Sequence, residues 1–285
     1  MYRPHSMHGP RCSLTLHSAE TLGPPLLLLH GVLRAWDDFL CVCPLLETQW
    51  SVHGLDHRGH GASGHAGGLY QVRDYVEDAA SVVIEHFDEP VVLVGHSLGA
   101  LVAAAVAAQV PRKVRAVVLE DPPFTQLGTD IQKTSHHALF AGIQGLLPSS
   151  GSIENLAVQL AALEVPLPAT GETRPLGDLR DAASLRYSAR CLQRMDPAVL
   201  EPLVAGRWME GYDFRGTVKA ISCPALLLQG ETSLGGMLDD HDAQVATDLM
   251  TRETHIKLEG VGHLIHQMRT EDYLRLVLSF LASLD

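Results

Sequence analysis

Short apolar segments alternate with helical segments along most of this chain. The apolar segments at residues 26–29, 91–94, 114–119 and 224–229 contain few polar side chains. Such continuous runs are typical of strands buried on both faces of a parallel sheet, because strands with one exposed face alternate apolar and polar residues. Between them, residues 70–87 place apolar side chains at helical spacing. The pattern predicts an α/β fold in which helices cover both faces of a mostly parallel central sheet.

The alternation stops between residues 122 and 217. This segment contains helical stretches, such as residues 153–164 and 179–195, but no convincing strand. We therefore expect residues 1–121 and 218–285 to form one core domain. Residues 122–217, here called the cap segment, are expected to be a helical cap (lid) inserted after the sixth strand.

A single serine stands at the junction between a predicted strand and a predicted helix. The strand at residues 91–94 runs into a G-x-S-x-G motif at residues 95–99, and strong helix formers continue until Pro111 ends the run. A serine on so tight a corner needs a strained backbone, and the glycines remove side chains that would collide there. The pattern favours Ser97 as a nucleophile at the positive end of the helix over a plain N-cap role.

Composition argues against several classes of function. The chain of 285 residues is 46% hydrophobic and 19% charged, and its formal net charge of −12 argues against binding nucleic acid or anionic membrane surfaces. No apolar run is long enough to span a bilayer, and the first residues lack the apolar region of a signal peptide. Five scattered cysteines without a C-x-x-C pattern are expected to be reduced thiols, which predicts a cytoplasmic location. We expect a small-molecule substrate as the partner; the oligomeric state stays open.

The histidines around Asp56 raise the alternative of a metal site. His53, His57, His60 and His65 lie close together in the sequence. However, the two-histidine helix motif H-E-x-x-H is absent, and the glycines of this stretch disfavour a helix that could align the side chains. We therefore expect no metal site and no cofactor.

Six segments together resemble the α/β-hydrolase superfamily, in its cap-bearing serine hydrolase branch. They are LLLLHG (26–31), DHRGHGAS (56–63), GHSLG (95–99), the cap segment, PALLLQG (224–230) and EGVGHLIH (259–266). They occur in the order and spacing of that superfamily, and the resemblance covers most of the chain. It implies the α/β-hydrolase fold. Residues 11–17 are expected to be an edge strand, and the short N-terminus leaves room for fewer edge strands than the family usually has.

The resemblance also implies roles for individual residues. It places the nucleophile at Ser97 and the base at His263, in the loop after the last strand. His266, three residues further on, is the rival base and is expected to pack or to face solvent. The backbone N–H groups of Leu98 and Val32 are placed to bind the oxyanion of an acyl-transfer reaction.

The acid of the triad is where this chain departs from the family. Many members carry an aspartate just after the seventh strand, where this chain has Ser233. Some relatives carry it after the sixth strand instead, where this chain has Glu120 and Asp121. We expect Asp121 to be the acid, because its distance from Val114 matches that in the resembling relatives and two prolines follow it. Its alternative role is to open the turn into the cap segment. The acidic residues after the seventh strand are Glu231, Asp239, Asp240 and Asp242.

A serine nucleophile argues against the dehalogenase and epoxide-hydrolase branches, which attack with an aspartate. Hydrolysis of an ester, lactone or thioester remains, as does hydrolytic carbon–carbon cleavage. A ligand receptor or scaffold with little turnover is the alternative outside enzymes. Trp208 and Phe140 either line an apolar pocket or pack the cap segment onto the sheet. We expect a carboxylic ester hydrolase or lactonase for a small-to-medium apolar substrate, acting through an acyl-enzyme.

Overall fold

A central sheet of eight strands organises the described residues, 2–129, 131–147 and 151–284 of the computed structural model. In chain order the strands are β1 (Tyr2–His8), β2 (Ser13–Ala19), β3 (Pro25–Leu29), β4 (Ser51–Asp56), β5 (Val91–His96), β6 (Val114–Glu120), β9 (Ala225–Gln229) and β10 (Glu253–Lys257), while β7 (Glu164–Pro166) and β8 (Thr173–Pro175) form a separate ribbon. Across the sheet the order is β1-β2-β4-β3-β5-β6-β9-β10. The pairs on either side of β2 are antiparallel, and those from β4 to β10 are parallel. The predicted α/β class with a mostly parallel sheet is confirmed.

The first strand of the sheet was not expected from the sequence. β2, which covers most of residues 11–17, pairs with β1 on one side and with β4 on the other, so β1 is the edge strand. The expectation that residues 11–17 form an edge strand is therefore wrong. β1 is mostly exposed and is held by backbone pairing with β2. Such a strand needs no apolar side chains, so its sequence shows no pattern from which it could be predicted.

Helices cover both faces of the sheet. They are α1 (Cys43–Leu46), α2 (Val72–His86), α3 (Leu98–Gln109), α4 (Ser135–Leu146), α5 (Ile153–Ala161), α6 (Leu176–Leu179), α7 (Ala182–Arg194), α8 (Leu200–Val204), α9 (Phe214–Ala220), α10 (Asp240–Leu249), α11 (Ile265–Met268) and α12 (Thr270–Ala282). Among the described residues, none of the helices has the length and apolar character needed to cross a membrane.

Side chains of the central strands alternate between two apolar cores. On β5, Val91 and Leu93 face the core that includes residues of α2 and α3, whereas Val92 and Val94 face the core that includes residues of α12. Every residue of β5 is buried. Burial on both faces explains why the parallel strands are apolar at almost every position.

The cap segment leaves the sheet after β6 and the chain returns to it at β9. It contains α4 to α8, the beginning of α9 and the ribbon of β7 and β8, which the sequence did not predict. It contacts the loop after β4, where the N–H of Asp196 donates to the carbonyl of Gly59, and the start of α2, where the N–H of Val72 donates to the carbonyl of Trp208. Both contacts lie toward the carboxyl ends of the parallel strands. The domain boundaries stay a prediction, and α9 runs across the second of them.

Two aromatic residues of the cap segment are core residues. Trp208 is 0% exposed and Phe140 is 2% exposed, and both belong to the core that includes α2 and α3. Of the two roles considered for these side chains, packing is the one that this burial supports.

Candidate active site

Ser97 lies on a strained corner between β5 and α3. Its φ is 54°, in the left-handed region, and its side chain makes no capping hydrogen bond to the helix. The corner depends on its glycines, since a Cβ atom on Gly99 would lie 1.8 Å from the carbonyl oxygen of Leu29 and one on Gly95 would lie 2.2 Å from the carbonyl oxygen of Gly99. Because the hydroxyl does not cap the helix, it is available for chemistry.

Three non-glycine residues in the described part of the chain have a positive φ. They are Leu33 (φ 68°), Ser97 (φ 54°) and Asp121 (φ 45°). Each such residue costs on the order of 1–3 kcal/mol, and such strain clusters at functional sites. All three lie at or next to residues that the sequence assigned to the site, since Leu33 directly follows Val32.

The structure brings His263 and Asp121 together. Nδ1 of His263 lies 2.6 Å from Oδ2 of Asp121, whose side chain is 0% exposed. His263 comes from the loop after β10, and Asp121 directly follows β6. With Nδ1 occupied by the carboxylate, Nε2 is the nitrogen left to exchange a proton with a nucleophile.

Backbone N–H groups fix the Asp121 carboxylate in place. Oδ1 accepts from the N–H of Gly230 at 3.1 Å and of Leu238 at 3.3 Å, and Oδ2 accepts from the N–H of Met237 at 2.7 Å. Its own N–H donates to the carbonyl of Leu228. The three N–H groups that reach the carboxylate fix its orientation toward His263.

The other acidic candidates have partners elsewhere. Ser233 bonds Glu231, whose Oε1 accepts from the N–H of Gly260. Asp239 caps α10 and accepts from Gln126. The remaining pairs are Asp240 with Lys257 and Gln229, Asp242 with Thr125, and Glu120 with His266. None of these carboxylates contacts His263 in the described part of the structure.

The two backbone N–H groups expected to bind an oxyanion lie in neighbouring loops. Neither the N–H of Val32 nor that of Leu98 has a hydrogen-bond acceptor among the described residues. The loops that carry them touch, because a Cβ atom on Gly31 would lie 2.8 Å from Nδ1 of His96 and 3.3 Å from Cβ of Ser97. Only glycine at position 31 allows this approach.

The nucleophile candidate is enclosed. Ser97 is 2% exposed, and its hydroxyl is not hydrogen-bonded to His263 in this structure. Two clefts of about 50 and 450 Å³ in the described structure are lined by other residues. Hydrogen bonds between nucleophile and base are often long in the absence of substrate and shorten when it binds.

Comparison with known proteins identifies the family. The sequence matches the α/β hydrolase fold family over residues 24–266. The chain belongs to this family. It is 31% identical over 215 residues to the pimeloyl-acyl-carrier-protein methyl ester esterase of Chromobacterium violaceum, which covers 74% of this chain and 77% of that protein. It is 24% identical over 269 residues to the 2-(acetamidomethylene)succinate hydrolase of Mesorhizobium japonicum, and this match covers 91% of this chain and 88% of that protein.

Two further similarities differ in extent. The match to a probable alcohol acetyltransferase of Wickerhamomyces anomalus, at 31% identity, spans only 43% of this chain and 36% of that protein. The enol-lactonase from Burkholderia xenovorans LB400 superposes with a TM-score of 0.75 at 16% identity, over 98% of this chain and 100% of that one. At that identity, the superposition shows a shared fold.

The rival base of this α/β hydrolase has its own partners. His266 is 0% exposed, and its Nδ1 lies 2.9 Å from both carboxylate oxygens of Glu120. Its Nε2 lies 3.5 Å from Oδ2 of Asp38, and the other carboxylate oxygen, Oδ1, accepts hydrogen bonds from Arg34. Burial lowers the pKa of His266, but the two carboxylates outweigh burial and raise it to about 9. Of the two expectations for His266, packing is confirmed, because the ring is buried and stacks on Phe39, and exposure to solvent is wrong. The sequence did not show that this packed imidazole is also paired with carboxylates, which stabilise its buried charge.

Asp38 belongs to a buried group of four charged side chains, together with Arg34, Glu120 and His266. Burial alone raises the pKa of its carboxyl, but Arg34 and His266 hold it well below its usual range. Arg34 reaches the cap segment as well, since it donates to Ser188 at 3.2 Å and lies over the Tyr187 ring at 4.4 Å. The residues that join the core to the cap segment here had no motif in the sequence.

His136, which the sequence analysis did not single out, interacts electrostatically with two residues of the candidate site. Burial and the neighbouring His263 lower the pKa of His136 to about 4, while Asp121 acts in the opposite direction. His136 belongs to α4 of the cap segment. His136 is not part of a sequence motif, so the sequence gave no indication of its interaction with His263 and Asp121.

The histidines considered for a metal site do not surround a common point. His53 bonds Ser18 and Ser51, while the buried His57 ring lies tilted against the His30 ring, with centroids 4.5 Å apart. Within the described residues, no three histidine, cysteine, aspartate or glutamate side chains are arranged to hold a metal ion.

Proposed function

We propose that this protein is a serine hydrolase that cleaves an ester or lactone of a small-to-medium apolar substrate through an acyl-enzyme. The observation that carries the proposal is the 2.6 Å contact between His263 and Asp121, at the same edge of the sheet as the strained Ser97 corner. An imidazole oriented by a carboxylate is what a serine needs to lose its proton during attack.

The first half of the reaction transfers the acyl group to the enzyme. His263 Nε2 takes the proton of the Ser97 hydroxyl as its Oγ attacks the substrate carbonyl carbon. The negative charge moves to the carbonyl oxygen, where the backbone N–H groups of Val32 and Leu98 stabilise it. Asp121 stabilises the imidazolium, which then protonates the departing alcohol oxygen, and the acyl group stays on Ser97.

The second half releases the acid. A water molecule gives a proton to His263 Nε2 and attacks the acyl carbon, a second oxyanion forms at the same N–H groups, and the bond to Ser97 Oγ breaks. His263 returns the proton to Oγ, which restores the resting enzyme. In a lactone the alkoxide and the acyl group belong to one molecule, so the same steps open the ring.

One relative supports ester chemistry for this site, and a lactonase with the same fold makes lactone cleavage compatible with this architecture. The Chromobacterium violaceum relative is a methyl ester esterase, at 31% identity over 74% of this chain. The Burkholderia xenovorans enol-lactonase shares the fold. The apolar character of the cap segment favours substrates with apolar acyl groups.

Turnover of p-nitrophenyl esters of increasing acyl length and of simple lactones tests this function. We expect the wild-type protein to hydrolyse at least one of them and Ser97→Ala to lose that activity. Ser283→Ala, at an exposed position of the C-terminal helix end, is the matched control and should keep full activity. Equal turnover by Ser97→Ala and the wild type contradicts the proposal, as does the absence of any turnover in the wild type.

A further inference from the structure

Glu120 and His266 form a second acid–imidazole pair beside the pair of Asp121 and His263. Oε1 of Glu120 accepts from the backbone N–H and the ring Nδ1–H of His266, both at 2.9 Å. Both side chains are completely buried. Glu120 is the last residue of β6 and Asp121 directly follows it, while His263 lies in the loop before α11 and His266 lies in α11, so the pairs join the same two chain segments.

The second pair is connected to the proposed catalytic groups through the backbone. The N–H of Ser97 donates to the carbonyl of Glu120 at 2.9 Å. His96 Nε2–H donates to the carbonyl of His263, also at 2.9 Å. The His96 ring contacts both histidine rings of the pairs, with centroids 4.5 Å from His263 and 5.2 Å from His266. His96 therefore contacts His266 on one side and the residue that carries the proposed base, His263, on the other.

The charges around His266 balance within the buried group. Glu120 and Asp38 are the two carboxylates that face the imidazole, and Arg34 is paired with Asp38. Two carboxylates and two cations leave no net charge in the group. Removal of one member leaves another buried charge without its partner, which is more costly than the loss of a neutral hydrogen bond.

The other titratable groups against His266 are His96, Tyr273 and Cys41. Burial lowers the pKa of His96 and raises the pKa of Tyr273 and of Cys41, so all three are uncharged near neutral pH. Phe39 stacks on the ring with centroids 4.8 Å apart. The charge on His266 is thus set by Glu120 and Asp38.

We propose that the Glu120–His266 ion pair is a positioning pair, which holds the loop of His263 against β6 so that Nε2 of His263 points at Ser97. The inference rests on the proposed function, because it concerns the same site. His266 itself takes no proton from substrate, since its Nδ1 bonds Glu120 and its Nε2 faces Asp38. Its contribution is made through His263.

The pair has a pH dependence that a neutral packing contact lacks. The pKa of His266 is raised to about 9, so the imidazole is charged at neutral pH and loses its proton as the pH rises through that value. Loss of the proton leaves Glu120 and Asp38 without their shared cation. We therefore expect kcat/KM to fall as the pH rises through about 9.

The test compares Glu120→Gln and His266→Gln with Asp78→Asn. The Arg58–Asp78 ion pair is equally buried, with both side chains 0% exposed, and contacts neither His263 nor Ser97. We measure kcat and KM against pH, and the strongly downfield proton NMR signal of the His263 Nδ1–H bond, assigned by its loss in Asp121→Asn. We expect Glu120→Gln and His266→Gln to lower kcat on the order of 10- to 100-fold with little change in KM, and to broaden the signal. Asp78→Asn should retain both.

The pH profiles separate a positioning role from general stabilisation. In Glu120→Gln the fall in kcat/KM should move to lower pH, because the carboxylate that raises the pKa of His266 is gone. In His266→Gln the fall near pH 9 should disappear. The inference is overturned if both variants keep the wild-type kcat, the wild-type pH profile and the downfield signal.

The wild-type protein decides the matter if neither variant folds. A loss of the His263 signal and of activity as His266 loses its proton, at constant circular dichroism, supports the pair. A signal and an activity that stay constant far above the pKa of His266 overturn it. Failure of the proposed function is a different result, namely a wild type that cleaves no ester or lactone, and in that case the NMR signal still tests the positioning of His263.

Discussion

Asp121 is interpreted either as the acid of the triad or as a residue that only opens the turn into the cap segment. Replacement by asparagine keeps the shape but removes the charge that stabilises the His263 imidazolium and selects its tautomer. We expect Asp121→Asn to stay folded and to lower kcat on the order of 10³- to 10⁴-fold on an ester substrate. Asp240→Asn is the control, because Asp240 is exposed and bonds Lys257. Near-normal turnover by Asp121→Asn together with a loss in Asp240→Asn would refute the assignment.

At the scale of single residues, the sequence predicted local backbone geometry but not which acid pairs with which histidine. The Ser97 corner was predictable, because a strand, two glycines and a helix lie within a few residues. The opposite directions of Glu120 and Asp121 were also predictable from side-chain alternation. Which histidine each acid meets depends on how the loop after β10 lies against β6, and no local pattern encodes that. His263 and His266 were treated as rivals for one role, whereas the structure gives each its own acid.

Trp208 tests how the cap segment is attached to the core. The side chain is 0% exposed, and its carbonyl accepts the N–H of Val72 at the start of α2. We expect Trp208→Ala to lower the free energy of unfolding by about 3–5 kcal/mol, because it leaves a cavity between two elements. Urea denaturation measures this change.

The same variant separates packing from selectivity. Activity at equal folded fraction should fall by a similar factor for short and long acyl esters. Leu179→Ala, an exposed position in the same segment at 46% exposure, should change neither stability nor activity. A change in acyl-length preference at unchanged stability would show that Trp208 lines the substrate pocket instead.

Strands and helices could be predicted where their burial produces a pattern of apolar residues in the sequence. The inner parallel strands are apolar at nearly every position because helices cover both of their faces. β1 and the β7–β8 ribbon lack such a pattern, since their residues are largely exposed and they are defined by backbone pairing. Their existence follows from the tertiary structure and not from local preference.

The whole molecule buries several neutral imidazoles. His30, His57, His60 and His96 are at most 1% exposed. Burial lowers the pKa of each, and that of His60 to about 3. The unfolded chain binds these protons with a pKa of about 6.5, so stability falls as the pH falls below that value.

Acid sensitivity is the expected consequence. At about pH 5, His60 alone costs about 2 kcal/mol relative to neutral pH, and the other three act in the same direction. We expect the urea midpoint at about pH 5 to lie well below that at about pH 7. Equal midpoints would mean that these histidines are protonated in the folded state.

His266 acts at the other end of the pH range. Its pKa is raised to about 9, so its contribution to stability is complete below the unfolded value and is lost as the pH rises toward 9. The urea midpoint of the wild type should fall over that interval. His266→Gln should remove the fall, and its persistence in that variant would assign it to other groups.

Covalent labelling tests the central claim, that Ser97 is a nucleophile activated by His263 and Asp121, most directly. The protein is treated with a fluorophosphonate, and its intact mass and the mass of its peptides are measured. We predict a single adduct on the peptide that contains Ser97, none in Ser97→Ala, and much slower labelling in His263→Ala and Asp121→Asn. An adduct on another residue, or labelling that survives in Ser97→Ala, would contradict the account.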